Sequence, residues 1–144
     1  MRHGSKITSL ALGLGIVLLA GCGGGGGGTP ATPAASTRSF SVSQYTPGTA
    51  FTVTVQTTPD TDTEYWAIED DPPAGWTVGA ISDGGVFDSV TGKVKWGPFA
   101  DNTARTLTYM VTPPDSALGA EVFEGDISLD GKDADTEGSA SISN

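Results

Sequence analysis

The sequence predicts an all-β domain, a single antiparallel immunoglobulin-like β-sandwich of about 7–8 strands. Three observations carry this. Apolar residues alternate with polar ones in short, separated segments, the signature of strands with one buried face. No window shows the 3.6-residue period of a helix. The breaks between segments are rich in Gly, Pro and Asp, the residues that tight turns require.

Taken in order, Phe40 and Val42 alternate with serines, and Phe51, Val53 and Val55 alternate with threonines in AFTVTVQT. Trp66 and Ile68 share one parity, as do Trp76 with Val78 and Val94 with Trp96. Leu107, Tyr109 and Val111 share another face, then Phe123, Gly125, Ile127 and Leu129, and last Ala140 and Ile142. The intervening turns read TPG at 46–48, TPDTD at 58–62, DPPAG at 71–75, DGG at 83–85, TG at 91–92, ADN at 100–102 and PPD at 113–115, while Asp130-Gly131 suits a hairpin. Residues 39–144, about 105 in all, match the size of one sandwich.

What precedes the domain has a different character. Arg2, His3 and Lys6 form a basic start, and ITSLALGLGIVLLA is uncharged and mostly apolar. That stretch falls short of the ~20 residues that span a bilayer as a helix, so residues 1–21 read as a secretory signal peptide. Residues 22–38 read as a disordered linker, with six glycines from Gly23 to Gly28 followed by a segment stiffened by Pro30 and Pro33.

The apolar stretch ends in Leu19-Ala20-Gly21-Cys22, which resembles the lipobox of bacterial lipoproteins. The resemblance implies that Cys22 receives a diacylglyceryl group, becomes the new N-terminus and is further acylated. A thiolate is the side-chain nucleophile suited to that thioether, and two or three chains at ~0.8 kcal/mol per buried methylene anchor stably where one does not. It also implies a place in the bacterial cell envelope. Gly23 stands where an aspartate would retain the protein at the inner membrane, so the outer membrane is expected in a Gram-negative host.

From Thr46 to Pro114 the chain resembles the DUF11-type bacterial surface repeat and related immunoglobulin-like modules. The residues that carry this are Pro72-Pro73-Ala74-Gly75-Trp76, then Gly84-Gly85-Val86-Phe87-Asp88 running to Thr91-Gly92 and Trp96-Gly97, and finally Ala104-Arg105-Thr106-Leu107-Thr108-Tyr109. The resemblance implies a spacer, adhesive or assembly domain and no particular activity.

Chemistry is scarce. The one histidine, His3, and the one cysteine, Cys22, are respectively removed and lipidated on this reading. A Ser-His or Cys-His nucleophile and a zinc centre are then excluded, and no catalytic residue or cofactor is expected. All 17 acids lie at or beyond Asp60; against the five basic residues left after processing they give −12. Such a charge disfavours nucleic acid and anionic lipid as partners. Glu69 and Asp71 on one strand face, and Asp130 and Asp133 near the last hairpin, are weak calcium candidates; the spacing after Asp130 does not fit an EF-hand loop. A two-carboxylate hydrolase built on Glu69 or Asp71 is the remotest reading. Trp66, Trp76 and Trp96 could form a sugar platform, but each shares parity with an aliphatic residue, so core positions are expected. The function expected is a non-catalytic, membrane-anchored binding or spacer module whose partner is an envelope protein or glycan. The alternative is a carbohydrate-binding module, with calcium as an aid.

Overall fold

The computed structural model describes residues 36–144. The domain is all-β, and no helix occurs among those residues. Its first sheet contains β1 (Ser36–Phe40), β2 (Phe51–Thr57), β4 (Thr77–Gly79), β7 (Arg105–Thr112) and β11 (Glu137–Gly138), in the spatial order β11-β1-β2-β7-β4. The second contains β3 (Trp66–Asp71), β5 (Val86–Asp88), β6 (Lys93–Phe99), β9 (Glu124–Leu129) and β10 (Lys132–Asp135), in the order β10-β9-β3-β6-β5. A short ribbon of β8 (Ala120–Val122) and β12 (Ser141–Ser143) lies outside both. Pairing within the sheets is antiparallel except for β1 with β11.

The alternation seen in the sequence becomes the inner layer. Val53 and Val55 of β2, Leu107, Tyr109 and Val111 of β7, Ile68 of β3, Val94 of β6 and Ile127 of β9 are all buried. At one end Trp76 fills the gap between the sheets, its ring set edge-on to Tyr45, Phe51 and Phe123 at 5.1, 5.9 and 5.7 Å. Such edge-to-face contacts each add about 0.5–1.5 kcal/mol beyond burial.

The described residues form twelve strands where about 7–8 were expected, and the additions are short. β5, β8, β10 and β11 have two to four residues each, too few to display a period. The start of the domain also moves. β1 begins at Ser36, inside the segment expected to be linker up to residue 38, and the inward residues that precede Phe40 are the buried Ser36 and Arg38. Because neither is apolar, the alternation rule does not register them.

Arg38 enters the core because Asp70 is waiting there. Arg38 Nε donates to both carboxylate oxygens of Asp70, at 2.9 and 3.1 Å, and an Nη2 hydrogen bond completes the fork. Tyr109 donates its hydroxyl to Asp70 Oδ2 at 2.6 Å, and Arg38 Nη1 donates to the carbonyls of Phe123 and Ser139. Gly125 makes room for this pair: a Cβ there would lie 2.5 Å from Asp70 Oδ1 and 2.6 Å from Arg38 Nη2. Burial pushes the Asp70 carboxyl up, opposed by Arg38 and Tyr109, while burial and the neighbouring carboxylate push the Tyr109 hydroxyl up. The network joins β1, β3 and β7, so it ties one sheet to the other across the core.

Candidate binding face

The outer surface of the second sheet carries a row of charged and polar side chains. In β3 the outward positions are Ala67, Glu69 and Asp71; in β6 they are Lys93 and Lys95; in β9 they are Glu124, Asp126 and Ser128. Register aligns them across the sheet. Glu69 stands opposite Lys95 and Asp126, Ala67 opposite Ser128, Asp88 opposite Lys93, and Asp133 opposite Ser128. Cross-strand neighbours at this spacing interact directly.

The middle of that face is neutralised from within. Lys93 Nζ lies 3.0 Å from Glu69 Oε2 and 3.9 Å from Asp126; Lys95 Nζ lies 3.4 Å from Glu69 Oε1 and 3.0 Å from Asp88. The Lys93 ammonium holds Glu69 below the usual carboxylate range, and Lys95 does the same for Asp88. Both lysines are raised in turn by the carboxylates they touch. Glu69 therefore has its two oxygens engaged by two cations, an arrangement suited neither to proton transfer nor to a metal.

Toward one end the face changes from charges to a mounted aromatic ring. Tyr65 directly precedes β3 and takes the outward parity of Ala67, leaving it 58% exposed. Its backbone is clamped: Asp130 Oδ1 accepts the Tyr65 N–H at 2.9 Å, the Asp130 carboxylate also accepts the Glu64 N–H, and the Asp130 N–H donates to the Tyr65 carbonyl. Asp130 itself sits at φ 48°, in the left-handed region that Asp tolerates better than most residues. Tyr65 lines an open cleft with Thr63, Glu64, Ala100, Asp101 and Asn102. The loop across from it is pinned by Asn102 Nδ2, which donates to the Thr61 carbonyl at 2.7 Å. Behind the cleft Trp66 stacks on Phe99 at 4.4 Å, and the Arg105 guanidinium, bound to Asp101 at 2.7 Å, lies 4.2 Å from the Phe99 ring centre. Trp66 Nε1 and Arg105 Nε are buried donors with no acceptor among the described residues.

The residues singled out by sequence reasoning are distributed as follows. Cys22, the expected lipid site, lies outside the described residues. Glu69 and Asp71 do share the outer face, but Glu69 belongs to the lysine ladder. Asp133 lines one shallow depression with Glu69 and Asp126 and another with Asp130, Asp60 and Asp62. Glu69 and Asp71 are not brought to Asp130, whose carboxylate is occupied by backbone N–H groups. Among the described residues no group of three or more His, Cys, Asp or Glu is placed to hold a metal ion. The three tryptophans are core residues, each less than a tenth exposed, and Trp96 Nε1 donates inward to the Ser82 carbonyl at 2.9 Å. Sequence reasoning passed over Tyr65, although its parity, opposite to that of Trp66 and Ile68, places an aromatic ring on the outer face.

No family model and no curated protein matches the chain. Solved structures do. The Reelin-N domain of F-spondin is similar with a TM-score of 0.55 and 16% identity, over 78% of this chain and 86% of that one. The human F-spondin reeler domain gives 0.52 and 17%, over 76% and 86%. A chitin-binding domain from a Pyrococcus furiosus chitinase gives 0.49 and 18%, over 71% and 100%. The likeness to the reeler domains is one of fold.

Proposed function

We propose that the chain is a non-catalytic β-sandwich module of the bacterial cell envelope, held at a membrane by acyl chains on Cys22. The lipobox-like Leu19-Ala20-Gly21-Cys22 carries this reading, because it stands a short tether ahead of a domain whose first strand begins at Ser36. The absence of histidine and cysteine from every position after Cys22 supports a non-catalytic role. So does the pairing of Glu69 with Lys93 and Lys95, which withholds the best-placed carboxylate from proton transfer. The likeness to the DUF11-type repeat remains part of this reading.

Detergent phase partitioning of the full chain tests the anchor. The native protein is expected in the detergent phase with metabolic acyl label, and Cys22→Ala in the aqueous phase without it. Label and partitioning unchanged in Cys22→Ala would overturn the reading.

A further inference from the structure

We propose that the cleft centred on Tyr65 is a binding site for a neutral, hydroxyl-rich glycan, whose sugar ring stacks on the Tyr65 phenol. This deepens the binding-module reading above and rests on it for the idea that the domain has a ligand, but not on the lipid anchor.

Three observations converge on this end of the outer face. Tyr65 is the most exposed aromatic residue among those described, and the Asp130 clamp holds its backbone from both sides. With the backbone fixed in advance, only the side-chain rotamer is left to order on binding. Next along the same face come Ala67 and Ser128, paired across β3 and β9, both short and half-buried, so the surface stays low beside the ring. A flat ligand can lie across that floor, where a larger side chain would lift it. Hydrogen-bonding groups of both kinds follow: the Asn102 amide and the Glu64 and Asp101 carboxylates line the cleft with Tyr65, and the Ser128 hydroxyl with the carboxylates of Asp126 and Asp133 lines a separate depression next along the face. Carboxylates accept hydrogen bonds from sugar hydroxyls.

Charge selects among glycans. Three nearby cations are already held, Lys93 and Lys95 by Glu69 and Asp88, and Arg105 by Asp101. Lys132 lines the neighbouring depression but is outnumbered there by Asp60, Asp62, Asp130 and Asp133, so an anionic glycan would meet an excess of carboxylates and a neutral one is favoured. A basic peptide would satisfy the charge and set a cation over the ring, so oligolysine is the competing ligand in the test.

The full chain in detergent micelles, titrated calorimetrically with cellohexaose, chitohexaose, oligogalacturonate and oligolysine, tests this. At least one neutral hexamer should bind and oligogalacturonate should not. Tyr65→Ala should weaken the neutral ligand roughly tenfold or more, as expected for a central aromatic anchor. Tyr65→Phe should retain most of the affinity, Asn102→Ala should reduce it several-fold, and Met110→Ala, on the exposed face of the other sheet, should leave it unchanged. Silence toward both neutral hexamers, binding indifferent to Tyr65→Ala, or Tyr65-dependent binding of oligolysine alone would each overturn the assignment. Phase partitioning of Cys22→Ala reads the anchor separately, so failure of one leaves the other standing.

Discussion

Asp70 and Glu69 are adjacent in β3, carry the same charge, and meet cations on opposite sides of one sheet. Asp70 faces inward, fully buried against Arg38 and Tyr109; Glu69 faces outward, sharing Lys93 and Lys95 in solvent. Water decides what each pair contributes. On the outer face, high dielectric and side-chain freedom leave an ion pair worth about 0–1 kcal/mol. Inside, the charges gain little net over an apolar pair, yet removal of either one strands the other without solvent. The inner network thus specifies how β1 and β7 sit against β3, while the outer ladder adjusts a surface.

The largest effect expected from breaking this contrast is at Asp70. Asp70→Ala leaves the Arg38 guanidinium buried and uncompensated, and should cost about 3–5 kcal/mol in chemical denaturation. Combining Arg38→Met with Asp70→Leu should recover most of that loss, to within about 2 kcal/mol of the native protein. The remainder reflects the Phe123 and Ser139 carbonyls, which lose the donor Arg38 supplies, and the buried Tyr109 hydroxyl, which loses Asp70 as its acceptor. A double variant no better than Asp70→Ala would contradict the desolvation argument.

Tyr109→Phe should come next, at about 2 kcal/mol, because it removes one donor to a buried carboxylate and keeps the ring. On the outer face, Glu69→Gln should cost under about 1 kcal/mol, shrinking further in high salt. The pH dependence divides the same way. Glu69, Asp88 and Asp101 have carboxyls lowered in the folded state, so their contribution is present above pH ~4 and is lost as pH falls through the depressed values. Asp70 is shifted upward, so acidification does not remove stability through it. Urea midpoints measured from pH 6 down to pH 2 should fall for the native protein and fall less for Glu69→Gln. Equal slopes would place the acid sensitivity elsewhere.

The legibility of this fold in its sequence follows the same division. β2, β3, β6 and β7 could be read from alternation because most of their inward residues are apolar. β1 could be read only at its end, where Phe40 faces inward, since its other inward residues are Ser36 and Arg38. One clue was present: Asp70 has the parity of Trp66 and Ile68, and an acid at a core position calls for a buried cation. Which of the basic residues would answer depends on the pairing of β1 beside β2, and hence on contacts distant in sequence. Gly125 was legible as a residue on the inner face but not as the space that the ion pair occupies. On the outer face, Tyr65 could have been found from parity alone. Its clamp by Asp130 could not, because Asp130 looked sufficiently explained as a turn residue.

The position of Ser36 has a mechanical consequence. The chain enters β1 at the end of the sandwich where Thr57 and Arg105 lie, whereas the last residues dock at the other end, with Tyr45 N–H on the Ser143 carbonyl and Gly119 N–H on the Asn144 side chain. A pull between these two ends runs along the strands. The β1–β2 hydrogen bonds lie perpendicular to that direction, so they are strained together in shear rather than unzipped one after another. The Arg38–Asp70 crosslink sits in the strand that receives the force first, and it couples that strand to the opposite sheet before the hydrogen bonds can yield.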